Sequence, residues 1–296
     1  MDQVAVRWSA GVGAVAGGAG RRRRAEAAQP VTAAAAQEAA DAFLAAHPPG
    51  DGAPLAVVIP AYDEEGTIGQ VVASVPAEVA GLATETIVVV DGARDATAAR
   101  ALEAGALVCD VAVNRGQGAA FRLGYQLARS RGAQVVATLD ADGQFDPSEL
   151  PRVVGPVVAG EADLVNGSRR LGTDLTTDPV RRTGVVVFGA LVSVLIRQRI
   201  TDPACGLRAM RAEVTARVTL DQPQYQSSEL LISSALAGFR VVEVPITMSR
   251  RRSGTTKKGG NLRYGARFAR VILATWQRDW GTSALAPPPP AKITVS

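Results

Sequence analysis

One histidine, two cysteines and an aromatic content of only 4% narrow the chemistry open to this chain. His47 precedes Pro48-Pro49 in a linker-like stretch, which argues against imidazole acid–base catalysis and histidine-ligated zinc. Cys109 and Cys205 are too few for a disulfide framework and lack the spacing of a metal site, so a reducing cytoplasm is the expected compartment. No apolar run approaches the roughly 20 residues that a membrane span needs. The longest, Val185 to Ile196 (VVVFGALVSVLI), is flanked by Arg181-Arg182 and Arg197. It suits either a buried helix or one lying in a membrane interface. No secretory signal is expected either, because Arg21 to Arg24 lead into Ala-rich helical sequence rather than an apolar core and cleavage site. No Gly-x-Gly-x-x-Gly follows the first apolar run, and there is no Walker loop. Acidic residues are absent from Ser249 to Arg270, where eight basic ones stand. Such a block attracts the phosphates of a nucleotide or a lipid headgroup. The interleaved aromatics or recognition helix of a nucleic-acid reader are not evident, so no nucleic-acid partner is expected.

What is present is an alternation. The 296 residues suffice for one large domain or two intimately packed halves. Residues 1–53 read as an extension: a Gly/Ala-rich tail to about residue 30, then an Ala-rich helix from about Thr32 to Ala46 that docks weakly through Ala35, Ala39 and Phe43. Pro48 to Gly52 is a break. From Leu55 onward, apolar runs at 55–59, 85–90, 107–113 and 135–139 alternate with helical segments at 67–74, 96–104 and 119–130. That pattern means βαβ units and a parallel sheet, with the loops that follow the strands gathered at one edge. Residues 54–150 therefore read as a nucleotide-binding half. Residues 151–280 read as a second half of the same domain. It holds a helix at 148–159, a strand at 163–166, a polar and mobile loop at 171–178, the apolar helix, and a helix at 226–237 capped by Ser227 or Ser228. Val241 to Met248, carrying Pro245, suits an edge strand. A final helix covers 262–278, and 281–296 is a Pro-rich tail.

The stretch Val135 to Asp146 (VVATLDADGQFD) organises the first half. Asp140 and Asp142 lie just past a buried strand, where open α/β sheets bind ligands. Asp142 and the amide oxygen of Gln144 are hard ligands of the kind Mg²⁺ or Mn²⁺ prefers. A solvated Asp-Gly turn explains the same residues equally well when they are taken alone.

The motifs VVIPAYDEEGTI, VVVDGARDAT, NRGQGAAFRLGY, LDADGQFDPSELP, DLVNGSR, ITDPACGLRAM and EVPITMSRRRSGTTKK, in this order, resemble the family 2 inverting glycosyltransferases, in particular the polyprenyl-phosphate (dolichol-phosphate-mannose-synthase-like) branch. The resemblance covers about residues 55–275. It implies an α/β GT-A fold, a Rossmann-like, mostly parallel central sheet flanked by helices, with an acceptor-side half. By the same resemblance Pro60, Tyr62 and Glu64 hold the nucleoside, Tyr62 by stacking on the base. Asp91 matches a base- or ribose-binding acid, although Val90 stands where relatives carry a second Asp. Asp95 fits a helix cap at least as well as a functional role. Gln117 replaces a frequent Lys in the loop before Gly118, with Arg115 a substitute cation. Asp140, Asp142 and Gln144 match the metal motif, Asp142 and Gln144 being the direct ligands. Arg169, Arg181 or Arg182, Arg251 and Lys257 fall where relatives bring cations to phosphates.

The implied reaction is metal-dependent, inverting sugar transfer from a nucleotide diphosphate-sugar, with UDP slightly favoured over GDP. The implied acceptor is a polyprenyl phosphate reached from the cytoplasmic membrane face. An ionised phosphate needs no strong base; an alcohol acceptor would need one, with Asp202 the candidate and Glu229 behind it. Two alternatives stay open: a soluble glycosyltransferase acting on a small-molecule or cell-wall acceptor, and an inactive nucleotide-sugar-binding homologue. A homodimer is also open.

Overall fold

The central strands form because their apolar runs can be buried on both faces. Every residue of β1 (Leu55–Ala61) is buried, as is every residue of β5 (Val135–Thr138), which suits strands covered by helices on both sides. The computed structural model describes residues 19–176, 178–250, 261–281 and 293. Arg251 and Lys257 lie outside them, as do most of the Pro-rich tail and residues 1–18.

After α1 (Ala19–Ala46) come β1, α2 (Ile68–Ala73), β2 (Glu78–Val79), β3 (Leu82–Asp91), α3 (Thr97–Glu103), β4 (Leu107–Val111), α4 (Gln117–Arg131) and β5. A 3₁₀ turn at Pro147–Glu149 leads into α5 (Leu150–Val158), then β6 (Leu164–Asp174), α6 (Pro179–Ile196), β7 (Arg208–Arg211), α7 (Ala212–Arg217), α8 (Gln226–Leu236), β8 (Val241–Met248) and α9 (Asn261–Asp279). The eight strands make one sheet in the order β2-β3-β1-β5-β7-β6-β8, with β4 also beside β3. Pairing is parallel from β4 through β3 and β1 to β5. β7 runs antiparallel to both β5 and β6, and β8 returns parallel to β6. The long strands therefore all end at one edge, and β7 starts there.

Two apolar layers cover the sheet. On one face Val57, Ile59, Val88, Val90 and Ala137 meet α2, α3 and α5 through Ile68, Val71, Ala101, Val153 and Val157. On the other, Ala56, Val58, Ile87, Val89 and Val136 meet α4, α8 and α9 through Phe121, Leu123, Leu231, Phe268 and Ile272. α4 lies so close to the sheet that a Cβ on Gly124 would sit 2.3 Å from Val58 Cγ1.

Several boundaries differ from the sequence reading. The first helix begins at Ala19 rather than near Thr32; its backbone follows the favourable Ala, Arg, Glu and Gln content across Pro30. Its buried residues are Ala36, Ala40 and Phe43, one position on from the expected alanines. The polar segment after Arg170 is not a loop until Asp174, because β6 continues to pair with β8 at Thr173 and Asp174. The helix at 226 starts from Tyr225 in a left-handed conformation, with no side-chain cap. Neither Ser227 nor Ser228 caps it; Ser228 Oγ donates back to the Tyr225 carbonyl at 3.0 Å. β2 and α7 were too short to show any periodicity.

The close approach at Gly124 gives a direct test. Gly124→Ala forces a methyl into Val58 and should destabilise the fold by about 1–3 kcal/mol, read as a lower urea midpoint with an unchanged slope.

Candidate active site

At the edge where β1, β3, β4 and β5 end, their loops are laced to one another. Asp63 Oδ1 accepts the Arg94 N–H at 2.8 Å, and Glu65 Oε2 accepts that of Ala96 at 3.0 Å. Thr97 Oγ1 accepts the Glu64 N–H at 2.8 Å, while the Glu64 carboxylate receives the Thr67 hydroxyl at 3.3 Å. Asp95 accepts from the Glu65 N–H at 3.2 Å and from both the Thr97 N–H and hydroxyl. Burial works to raise the Asp95 pKa, but these hydrogen bonds, with Thr97 first, outweigh it and bring it below the usual carboxylate value. Asp95 thus closes a local turn onto Thr97, the first residue of α3, and ties two loops together. The cap position of α3 is Ala96, with no side-chain cap bond. Pro60 is buried within β1, opposite Val89. Tyr62 and Glu64 follow, half-buried, in the loop beyond it.

Asp91 is held differently from the nucleoside contact implied by resemblance. It is buried, and its carboxylate takes the Arg115 and Gly116 N–H groups at 2.8 and 2.7 Å and the Arg115 guanidinium at 3.2 Å. Here it fixes the loop before α4, and Arg115 answers Asp91 rather than standing clear as a substitute cation. Gly118 serves close packing: its N–H donates to the Pro223 carbonyl at 2.9 Å, and a Cβ there would lie 2.0 Å from the Gln222 carbonyl oxygen. Gln117, in the place of a cation, donates to Asp140 Oδ1 at 3.1 Å.

The metal motif forms a tight turn after β5. Asp142 is buried and its Oδ1 accepts the Gln144 N–H at 3.1 Å. Asp140 carboxylate lies against Gly206, where a Cβ would come within 2.3 Å of Oδ2. Gln144 Nε2 donates to the Ser249 carbonyl at 3.2 Å, and Ser249 N–H returns a bond to the Gln144 carbonyl at 2.8 Å. The turn is thereby joined to the start of the basic segment. Among the described residues no group of three or more His, Cys, Asp or Glu side chains forms a closed metal cage. The side chains of Asp140, Asp142 and Gln144 offer only hard oxygens as metal donors, the type that suits Mg²⁺ or Mn²⁺.

On the acceptor side the candidate base is already occupied. Asp202 is fully buried, and Arg169 Nε and Nη2 each reach one of its carboxylate oxygens at 2.6 Å. The Arg169 N–H adds a third bond at 3.1 Å. Burial opposes the charge on Arg169, but the Asp202 contact prevails and raises its pKa. Both Asp202 oxygens are thus engaged by Arg169, and neither stands clear for an acceptor hydroxyl in this arrangement. Glu229, behind it, is likewise taken: it receives the Asp221 and Gln222 N–H groups at 2.8 and 3.1 Å and pairs with Arg278 at 2.8 Å. Arg182 stands exposed at the start of α6, 4.0 Å from Asp174.

The sequence reading missed three polar side chains in this half: Asn166 in β6, Arg208 in β7 and Glu243 in β8. Arg208 is the largest fully buried side chain among the described residues, and its guanidinium reaches Asn166 Oδ1 at 2.9 Å and the Ser227 and Cys205 carbonyls at 2.6 and 2.5 Å. A single polar residue inside each apolar strand (DLVNG, GLRAM, VVEVP) was the available signal.

A Rossmann-like half with an acidic turn at its strand ends, joined through a reversed strand to an arginine-bearing half, defines the GT-A class of glycosyltransferases. The family model described as Glycosyl transferase family 2 matches residues 56–219, and the chain belongs to that family. A dolichyl-phosphate hexose transferase of Haloferax volcanii is 34% identical over 222 residues, covering 74% of this chain and 94% of the relative. A polyprenol monophosphomannose synthase of Mycolicibacterium smegmatis is 35% identical over 232 residues, covering 74% and 85%. Among solved structures, glucosyl-3-phosphoglycerate synthase from Mycobacterium tuberculosis, in complex with Mn²⁺, UDP and phosphoglyceric acid, superposes with a TM-score of 0.61 at 26% identity, covering 82% of this chain and 81% of that one. The chain is thus a hexosyltransferase of GT-A fold.

Two measurements follow from this geometry. Asp202→Asn leaves the Arg169 guanidinium buried without its counter-ion and should destabilise the protein by about 3–5 kcal/mol in urea unfolding. Burial pushes the Cys109 thiol up to about 12, against a smaller opposing effect of Arg115, and raises that of Cys205 as well. Both thiols should therefore resist Ellman's reagent at pH 8 in the folded protein and react fully once it is denatured.

Proposed function

We propose that this enzyme transfers a sugar, with inversion and with Mg²⁺ or Mn²⁺, from a nucleotide diphosphate-sugar to a polyprenyl phosphate. The observation that carries the reading is the engagement of Asp202 and Glu229. With both candidate bases tied to arginines and backbone N–H groups, the site suits an acceptor that arrives already ionised. An alcohol would need a carboxylate free to take its proton.

In this reading Pro60, Tyr62 and Glu64 hold the nucleoside, and Asp91 acts through the loop that it fixes. Asp142 and Gln144, with Asp140 beside them, would hold the cation, whose chemistry when bound is to neutralise charge on the diphosphate. Arg169, oriented by Asp202, faces the acceptor phosphate, and Arg181 or Arg182, Arg251 and Lys257 are the further cations that the phosphates would call on. An acceptor phosphate oxygen bonds to the anomeric carbon from the face opposite the leaving group. The bond from that carbon to the diphosphate oxygen breaks, and the nucleoside diphosphate leaves with the electron pair. UDP is the favoured nucleotide, supported by the UDP that the solved neighbour carries.

Membrane contact is peripheral in this reading, at the cytoplasmic face. Among the described residues no helix is long and apolar enough to cross a membrane. α6 buries Val192 on the core but exposes Val180, Val186, Val187 and Val194, with Leu171 and Leu175 of the neighbouring segment also exposed. Exposed Arg170, Arg182 and Arg199 rim this face, the pattern of a helix lying in an anionic interface.

The test is a thermal-shift panel of UDP, GDP and their sugar conjugates with and without Mn²⁺, followed by sugar transfer to a polyprenyl phosphate in detergent. A ligand at a hundredfold excess over its dissociation constant should add about 2.7 kcal/mol. We expect a metal-dependent shift with one nucleotide, abolished in Asp142→Ala, and a lipid-soluble sugar phosphate as product. Absence of any nucleotide shift with metal present would overturn the reading.

A further inference from the structure

Arg208, Asn166 and Glu243 occupy one row across three neighbouring strands. Arg208 of β7 is the register partner of Asn166 in β6, and Asn166 is in turn the register partner of Glu243 in β8. Arg208 Nε donates to Asn166 Oδ1 at 2.9 Å, and Asn166 Nδ2 donates to Glu243 Oε1 at 3.1 Å. A buried cation and an anion are thus joined through a single amide, with no direct contact between them. The amide can sit only one way round, because its oxygen must face the guanidinium and its NH₂ the carboxylate.

Everything beyond Glu243 concerns the turn that carries Asp202. Glu243 Oε2 accepts the Thr201 N–H and hydroxyl at 2.7 and 2.8 Å, and Oε1 accepts the Asp202 N–H at 3.0 Å. Asn166 Nδ2 also donates to the Asp202 carbonyl at 2.9 Å. The Asp202 backbone is therefore held on both sides by this row, while Arg208 holds the Cys205 carbonyl at the far end of the same turn. Asp202, so placed, grips Arg169 at Nε and Nη2, while Arg169 Nη1 meets the weakly accepting sulfur of Met248 at 3.3 Å.

We infer that Arg208, Asn166 and Glu243 form a relayed ion pair that positions Asp202 and, through it, aims the Arg169 guanidinium at the acceptor phosphate. The three are positioning residues, and their contribution to acceptor binding rests on the functional reading given above. Low dielectric strengthens such a chain while it is complete and penalises each member if it is broken. Its polarity also matters: the anion must lie on the β8 side, because Glu243 serves three donors of the turn that no cation could satisfy.

Polarity supplies the test. Asn166→Asp is isosteric but sets a carboxylate against Glu243 and the Asp202 carbonyl. Glu243→Gln removes the opposing charge, so the double variant N166D/E243Q restores a single negative charge beside Arg208, while the Asp202 N–H loses part of its acceptor. Two readouts apply. Protein labelled with ¹⁵N-arginine reports the protected Nε–H signal of Arg169, identified by its loss in Arg169→Lys. Steady-state kinetics with farnesyl phosphate reports acceptor KM separately from donor KM.

N166D should lose the Arg169 signal and raise acceptor KM about tenfold, with donor KM unchanged; the double variant should recover most of both. If N166D keeps the signal and the acceptor KM, or if the double variant is no better than the single, the inference is overturned. If N166D fails to fold while the double variant folds, that rescue supports it. If neither folds, E243Q decides: a lost Arg169 signal supports the relay and an intact one overturns it. The thermal shift of the unmodified enzyme with UDP and Mn²⁺ tests the functional reading independently, and the guanidinium signals read the relay whether or not transfer is detected.

Discussion

Parallel strands place their C-terminal ends side by side, and most of the site's chemistry descends from that constraint. The loops after β1, β3, β4 and β5 reach the same edge and must satisfy one another's polar groups. Asp63, Glu65, Asp91 and Asp95 each accept backbone N–H groups from a neighbouring loop rather than from their own helix alone. The carboxylates along this edge are thus spent largely on neighbouring loops, which limits the repulsion that they would otherwise present to one another.

The second half solves the opposite problem. It must carry guanidinium groups beside a packed core, and it does so in two ways. Arg169 meets Asp202 directly in a bidentate pair, whereas Arg208 meets Glu243 only through Asn166. β7 makes the second arrangement possible. Because it runs against β5 and β6, its first residue stands at the edge where the other strands finish. A parallel strand in that place would bring its last residue there instead.

Much of the architecture was legible because the apolar runs are long and the punctuation is clear. The alternation of runs such as LAVVI and ETIVVV with helical segments fixes the βαβ order, and Pro245 marks β8 as an edge, where the sheet ends. β2 and α7 were hidden because two and six residues are too few to display a period. The extension of β6 through Arg169 to Asp174 was hidden for another reason: Ser168 to Asp174 is polar, and only the β8 backbone alongside makes it a strand.

The site divides in the same way. Residue type alone leaves Asp140, Asp142 and Gln144 open between a solvated turn and a metal site; the order of the motifs, through the family they resemble, makes them and the arginines the candidates for phosphate and metal chemistry. Sequence could not say which of them answer each other. Asp202 is a plausible base in one dimension and an arginine's counter-ion in three, since its role depends on Arg169, 33 residues away in the chain and 2.6 Å away in space. Asp91, Gln117 and Asn166 likewise acquire their meaning from partners more than 20 residues away in the chain. Local pattern determined the strands, the acidic turn and the family; the register between β7, β6 and β8 decided which charges meet, because only pairing across the sheet brings them within hydrogen-bond reach.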